Sequence, residues 1–190
     1  MFGLSPDDTD GTRPVLHVRR QIKIVRGRLI FSAPKGGKVR DVPLPVSVAQ
    51  RLAAHAEQYP PVEVALPWGS STGDPQTVRL YLTAPNGLPL QRPAFNAAVW
   101  KPAIRATGIE DHRSNGMHVL RHTYASVLLD AGESIKALSG YLGHSDPGFT
   151  LRVYTHLLPA SEDRTRRAID VAFADDPLGG AQTPDGMETA

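Results

Sequence analysis

The chain has 190 residues, contains no cysteine and carries a formal net charge of +2. This length is enough for one well-formed hydrophobic core, so a single main domain is expected. The lack of cysteine excludes a disulfide framework and a thiolate metal site, and no apolar run approaches the length of a membrane span. We therefore expect a cytoplasmic protein with no membrane partner.

Charge is distributed unevenly along the chain. The stretch from Arg13 to Arg40 holds nine basic residues and no acidic one, whereas residues 174–190 hold four acidic residues and no basic one. Removing those four negative charges leaves +6 on residues 1–173. A basic ribbon on a basic body indicates a polyanionic partner. The Pro-, Gly- and Asp-rich residues 174–190 are predicted to be a disordered acidic tail behind a domain of residues 1–173.

The basic ribbon is predicted to form three short strands. Residues 15–25 are rich in β-branched side chains, and Arg26-Gly27 is a turn signal before a second strand at residues 28–33. A glycine-rich turn at residues 34–37 then leads to a third strand, residues 38–44. The pattern predicts a three-stranded antiparallel sheet with Lys35 at its second turn. Spacing alone favours a solubilising role for this lysine.

The middle of the chain is predicted to alternate between helices and strands. Ser47 and Gln50 form a possible capping box for one helix. Pro93 suits the first turn of another, and Pro102 inside that helix should kink it or divide it into two pieces. Two short strands are expected, Val62–Pro67 and Arg79–Thr83.

Three short helices are predicted between Met117 and His156. The first has an apolar stripe of helical period that ends at Gly132. Ser134 can cap the second helix and Gly143 can close it. Ser145-Asp146-Pro147 signals the start of the third, which reaches Tyr154. The stripe of the first helix is Leu120, Tyr124, Val127, Leu128 and Ala131.

Polar residues at the start of the first of these helices indicate an anion site. His118 and Arg121 are three residues apart beside free N-terminal amides, and Arg121 can bind two phosphate oxygens. Two alternatives use the same residues. His118 and His122 have the spacing of a zinc helix, but Val119 stands where H-E-x-x-H needs its general base. The two helices around Gly132 are also typical of a helix-turn-helix DNA-binding module.

The ordered motifs H-x-L-R-H (residues 118–122), L-G-H-S (142–145) and Tyr154 followed by Thr-His-Leu resemble the tyrosine recombinase (phage integrase) family. APKGGKVRDVPLP (residues 33–45) is similar to the family segment that carries a hairpin lysine. The resemblance extends from about Gly3 to about Phe173. It implies an α+β catalytic domain that is mainly helical, with a small three-stranded antiparallel sheet.

The resemblance also implies a reaction and a set of site residues. The reaction is site-specific recombination of double-stranded DNA through a 3′-phosphotyrosine, with no metal or other cofactor. Tyr154 is the implied nucleophile, Lys35 the acid that protonates the leaving 5′-oxygen, and the phosphate ligands and proton carriers are Arg121, His118 and His144. The basic ribbon is expected to bind DNA through Arg19, Arg20, Lys23, Arg28, Lys38 and Arg40.

Family members carry a second catalytic arginine in a T-G-L-R-x-x-E-like helix, just before the segment that residues 3–10 resemble. The sequence begins with Met1 past that point, so we expect a catalytic domain without its first segment and with impaired recombination. A DNA-binding relic or accessory of a mobile element is therefore an alternative to an active enzyme. A helix-turn-helix regulator is disfavoured because it needs none of the five implied catalytic residues. A final helix, residues 161–173, is expected to dock on another protomer or on its own core.

Overall fold

A computed structural model describes residues 2–11, 13–155 and 162–173, which form helices and short antiparallel strands in a mixed α+β arrangement. The α-helices are α1 (Val46–Gln58), α2 (Arg92–Phe95), α3 (Lys101–Ala106), α4 (His118–Asp130), α5 (Ile135–Leu142), α6 (Pro147–Tyr154) and α7 (Glu162–Phe173). The strands are β1 (Val15–Val18), β2 (Gln21–Val25), β3 (Arg28–Ser32), β4 (Arg40–Pro43), β5 (Val62–Pro67) and β6 (Pro75–Leu80).

The chain divides into two units, residues 1–157 and 158–190, and α7 belongs to the second. The predicted cap Ser161 and the predicted acidic tail, residues 174–190, lie outside the described residues. None of the helices in the described part of the chain combines the length and apolar character that a membrane crossing requires.

The strands pair differently from the prediction. Instead of one three-stranded sheet, the described residues form three two-stranded antiparallel sheets: β1 with β4, β2 with β3, and β5 with β6. The strand predicted over residues 15–25 is interrupted at Arg19 and Arg20. The reason is a contact with the N-terminal segment, because both terminal nitrogens of Arg20 lie 2.9 Å from the Asp8 carboxylate.

The turn predicted at Arg26-Gly27, which joins β2 to β3, is confirmed. Arg26 and Gly27 have φ angles of 49° and 76°, as a two-residue hairpin turn with left-handed backbone requires. Val25 pairs directly with Arg28 across this turn.

Two separate apolar clusters support the fold. One is formed by Phe31, Val64 and Leu80 and joins the β2–β3 hairpin to the β5–β6 hairpin. The other lies among α4, α5 and α6 and consists of Ala125, Leu129, Leu138, Leu142 and Tyr154. The second cluster therefore places the end of α6 against the helix that begins at His118.

One of two helix predictions in the middle of the chain is wrong and the other is confirmed. The capping box at Ser47 and Gln50 is wrong, because α1 begins after Pro45, two residues too early for Ser47 to be the N-cap, and Pro45 makes no side-chain cap. The helix that contains Pro102 is divided into two α-helical pieces, as predicted. A π-helical turn, Asn96–Trp100, joins α2 to α3 just before this proline, and its wider spacing accommodates a residue that cannot donate a backbone hydrogen bond.

The apolar stripe predicted to bury α4 is also wrong in its choice of face. Leu120 and Val127 are 57% and 62% exposed, whereas Ala125 and Leu129 are fully buried. Both faces of this helix carry apolar residues, and α5 and α6 pack on the face that carries Ala125 and Leu129. The start of α4 at His118 agrees with the sequence motif.

Candidate active site

An open cavity of about 1000 Å³ brings the predicted catalytic residues together. Its walls come from the end of β1, the turn between β3 and β4, the start of α4, the turn between α5 and α6, and the end of α6. All five residues implied by the family resemblance line it: Lys35, His118, Arg121, His144 and Tyr154. Residues more than one hundred positions apart in the sequence therefore share one surface.

Arg121 lies at the centre of this cavity. It projects from the first turn of α4 and donates from Nη2 to the carbonyl oxygen of Leu142, at the end of α5. The same nitrogen lies 3.0 Å from Nε2 of His144. No salt bridge to Arg121 is found among the described residues, so its charge is available to an anion in the cavity.

His144 is placed by three local signals that the sequence predicted: Ser134, Gly143 and Asp146. Ser134 caps α5 by accepting from the amide of Ala137, and Gly143 ends α5 with φ of +70°. Asp146 caps α6 by accepting from the amides of Gly148 and Phe149. His144 lies in the tight turn between these two caps and its position is therefore fixed from both sides.

The imidazole of His144 is surrounded by cations. Burial lowers its pKa most, and the charges of Arg121, Arg40, His118 and Lys35 lower it further. Its Nδ1 lies 2.7 Å from Oγ1 of Thr150, and the ring of Phe149 packs edge-on at 4.8 Å. A neutral imidazole is favoured in the empty site.

Tyr154 is the last residue of α6 and is only 2% exposed. Its ring belongs to the apolar cluster among α4, α5 and α6, and it also reaches the cavity wall. The nearest aromatic neighbour is His122, whose ring centroid lies 5.5 Å away. No hydrogen bond from the Tyr154 hydroxyl is found among the described residues.

His122 is a residue that the sequence interpretation passed over. The sequence indicates only a zinc-like spacing from His118, whereas in the structure the centroid of its ring lies 5.0 Å from that of His118 and 5.5 Å from that of Tyr154. Burial, and then the neighbouring His122, lower the pKa of His118. No group of three or more potential metal ligands occurs in the part of the chain that the structure describes. The signal for His122 was its spacing of four residues from His118.

Lys35 occupies the tip of the turn between β3 and β4 and is exposed. The two glycines that follow it have φ angles of +83° and +73°, which a residue with a side chain rarely adopts. Lys38 lines the same cavity. Of these two lysines, Lys35 is the one whose charge helps to lower the pKa of His144, after burial and the charges of Arg121, Arg40 and His118.

Arg40 differs from the other ribbon residues. It points toward the turn after α5, where its Nε donates to the carbonyl oxygen of Tyr141 at 2.8 Å. Its guanidinium lies against Gly143, since a Cβ at that position would be 2.8 Å from Nη1 of Arg40. Burial and then the charge of Arg121 lower the pKa of Arg40. The last two carbonyls of α5 thus hold two arginines side by side.

Arg20 departs from its prediction as a free DNA-binding cation. Asp8 neutralises it through a two-pronged ion pair, and the Arg20 side chain is 12% exposed. Arg19 donates to the carbonyl oxygen of Asp7 at 3.3 Å but is exposed. The remaining ribbon residues predicted to bind DNA are exposed and have no ion pair among the described residues: Lys23, Arg28 and Lys38.

The family model described as "Phage integrase family" matches residues 15–161. The chain is also 27% identical over 184 residues to a XerC-like tyrosine recombinase of Caldanaerobacter subterraneus, covering 91% of this chain and 45% of that protein. It is 33% identical over 132 residues to the tyrosine recombinase XerD of Rhizobium meliloti, covering 70% of this chain and 38% of that protein. The chain thus spans less than half the length of these curated relatives.

Solved structures show the same fold. A structure of the Tn1549 transposon integrase in complex with a circular intermediate DNA matches with a TM-score of 0.65 and 22% identity, over 89% of this chain and 52% of that chain. The XerA recombinase matches with a TM-score of 0.54 and 20% identity, over 88% and 50% of the two chains. With the family model matched over most of its length, the chain belongs to the phage integrase family.

Proposed function

We propose that the protein breaks and rejoins double-stranded DNA in site-specific recombination, with Tyr154 as the nucleophile. The observation that carries this proposal is the cavity in which Arg121, His144, Lys35 and Tyr154 meet. A concentration of positive charge beside a tyrosine suits a phosphodiester better than a neutral or cationic substrate. Family membership and the DNA in the Tn1549 integrase structure support the same partner.

The proposed reaction is a transesterification that conserves the energy of the phosphodiester bond. The phenolic oxygen of Tyr154 attacks phosphorus, the bond to the 5′-oxygen breaks, and a 3′-phosphotyrosine and a free 5′-hydroxyl result. Lys35 supplies the proton that the leaving 5′-oxygen takes up. Attack by the freed hydroxyl of another strand reverses these steps and joins the DNA, so no nucleotide cofactor is consumed.

The remaining side chains stabilise charge and carry protons. Arg121 binds the non-bridging oxygens, where negative charge grows in the transition state. His144, whose Nε2 lies 3.0 Å from Nη2 of the same guanidinium, bonds a phosphate oxygen. A phenol with a pKa near ~10 needs a proton acceptor at neutral pH. His118 has this role in the proposal, and the ring centroid of His122 lies 5.0 Å from that of His118 and 5.5 Å from that of Tyr154.

The DNA surface is proposed to extend from the cavity along the basic ribbon. Four exposed basic residues of the ribbon are suited to phosphate contacts: Arg19, Lys23, Arg28 and Lys38. Arg20 also lines the cavity, but its ion pair with Asp8 makes it less suited to a phosphate contact than these residues. Residues 1–173 are proposed to act as one catalytic domain, and α7 is proposed to dock on a neighbouring protomer through its apolar residues, which include Ile169.

Covalent trapping tests the proposal. Duplexes that the protein binds are first selected from a random pool, and a nick is then placed near the selected site so that the cleaved strand diffuses away. We expect a covalent protein–DNA adduct whose peptide map identifies Tyr154. Tyr154→Phe should bind the duplex and form no adduct, whereas Tyr141→Phe, a matched tyrosine change on α5, should form it. A linkage at Tyr141 or at a serine contradicts the assignment.

A further inference from the structure

The imidazole of His144 contacts a different neighbour through each nitrogen. Nε2 lies 3.0 Å from Nη2 of Arg121, and Nδ1 lies 2.7 Å from Oγ1 of Thr150. Thr150 is on the first turns of α6 and is completely buried, so its hydroxyl has a fixed position. These two contacts determine where the proton of the ring resides.

A guanidinium donates hydrogen bonds and never accepts them, so Nε2 of His144 must be the acceptor in its contact with Arg121. A neutral imidazole then carries its hydrogen on Nδ1, which donates to the hydroxyl oxygen of Thr150. The lowered pKa of His144 agrees with a neutral ring in the empty cavity. Its Nε2 therefore offers a lone pair to the cavity.

Like Nε2 of the neutral ring, a non-bridging phosphate oxygen accepts hydrogen bonds and does not donate them. For His144 to bond a phosphate oxygen through Nε2, as the proposed function requires, the ring needs a second proton. The charged groups around it favour this change once an anion arrives. Arg121 and His118 on α4, Arg40 on β4 and Lys35 on the adjoining turn all oppose a charged ring in the empty site. A bound phosphate offsets that repulsion, and the Asp146 carboxylate at the start of α6 is already bonded to amides of its own helix.

We propose that Thr150 is a positioning residue that fixes the His144 tautomer, so that binding of a DNA phosphate in this cavity is coupled to the uptake of one proton by His144. This inference rests on the proposed function for the identity of the anion. The tautomer itself depends only on the geometry of the empty site. Thr150 accepts from Nδ1 before and after the proton is taken up, which holds the ring in place while Nε2 changes from accepting from Arg121 to donating to the phosphate.

Nitrogen-15 NMR of the histidine rings in the free protein tests the tautomer. We expect His144 to be neutral at pH 7.5, with hydrogen on Nδ1 and a bare Nε2. Thr150→Ser keeps a hydroxyl and should keep this pattern, whereas Thr150→Val removes the acceptor at similar volume and should shift the ring toward the Nε2–H form. A wild-type His144 that already carries hydrogen on Nε2 overturns the proposal, whether or not Thr150→Val folds.

The pH dependence of DNA binding tests the proton uptake, with a short duplex as the probe. Uptake of one proton lowers the association constant by up to tenfold for each pH unit above the pKa of free His144. The slope of log K against pH should lose the contribution of His144 in His144→Gln. It should be reduced in Thr150→Val and unchanged in Thr150→Ser. Equal slopes in wild type and His144→Gln overturn the proposal while the DNA-binding function stands. Absence of any DNA binding refutes the proposed function, and the NMR result still decides the tautomer.

Discussion

Two groups of arginines in this protein have opposite surroundings. At the N-terminal segment, Asp8 pairs with Arg20, which also lines the cavity, and Asp7 pairs with Arg79. In the cavity, Arg40 and Arg121 lie close enough to repel each other, and neither has a carboxylate partner among the described residues. Both groups contain partly buried guanidinium groups, so burial does not distinguish them. What distinguishes them is whether a carboxylate pairs with the arginine.

The difference indicates what each group does. A buried arginine with a carboxylate joins two parts of the chain, as Arg20 joins the β1–β2 junction to the segment that contains Asp8. Partly buried arginines held by backbone carbonyls and, for Arg121, by a neutral imidazole keep their full charge, which raises the free energy of the DNA-free protein and favours an anionic ligand. The first group stabilises the fold, and the second is suited to bind a phosphate.

The largest expected effect is on stability, in the paired group. Arg20→Met leaves the carboxylate of Asp8, 1% exposed, with only the amide of Ser5 as a hydrogen-bond donor. Removing one partner of such a pair destabilises a protein by about 3–5 kcal/mol. Urea unfolding should show a loss of this size. The double variant Arg20→Met/Asp8→Leu should recover part of it, and a loss below about 1 kcal/mol in the single variant would refute the structural role of Arg20.

The matched change in the cavity is Arg40→Met. It removes a hydrogen bond to Tyr141 but also removes a partly buried charge beside Arg121, so the free energy of unfolding should change by less than about 1 kcal/mol. DNA binding should weaken, and the slope of log K against log salt should become shallower by about 1. An unchanged salt slope together with a large loss of stability would make Arg40 a structural residue like Arg20.

The smallest effect is expected at the exposed pair of Asp7 and Arg79, whose oxygen and nitrogen lie 2.6 Å apart. The hydrogen bond from Arg79 lowers the pKa of Asp7 below its ordinary value. The folded state therefore gains stability from the ionised carboxylate at neutral pH, and this gain disappears as the pH falls through the lowered pKa. Because the pair is exposed, it contributes at most about 1 kcal/mol.

Comparing wild type with Asp7→Asn by urea unfolding at pH 7 and at pH 2.5 measures this contribution. The two proteins should differ by a few tenths of a kcal/mol at neutral pH and converge in acid. A difference that grows in acid would mean that the sign of the Asp7 effect is wrong.

Local signals were enough to predict the turn that carries His144. Ser134, Gly143 and Asp146 each act on backbone groups within three residues, and the structure has caps at all three. The same holds for the Arg26-Gly27 turn. Where a turn or helix end depends only on residues close together in the sequence, the sequence alone predicts its backbone geometry.

Long-range contacts explain what the sequence did not predict. The strand break at Arg20 depends on Asp8, and the inward position of Arg40 depends on a carbonyl 101 residues away. The buried face of α4 was misassigned because both faces are apolar, and packing against α5 and α6 decides between them. Composition identified the ribbon as basic, but only the contacts show that Arg20 is neutralised by Asp8 while Arg40, which lines the same cavity, has no carboxylate partner among the described residues.

The most direct test of this contrast observes all four arginines in one experiment. Nitrogen-15 resonances of the Arg20, Arg40, Arg79 and Arg121 side chains, assigned with single Arg→Lys variants, are followed while a short duplex is added. The account predicts saturable shifts for Arg40 and Arg121 and unmoved resonances for Arg20 and Arg79. Shifts at Arg20 and Arg79 with the cavity arginines unmoved would contradict it, because the phosphate would then bind where carboxylates already neutralise the charge.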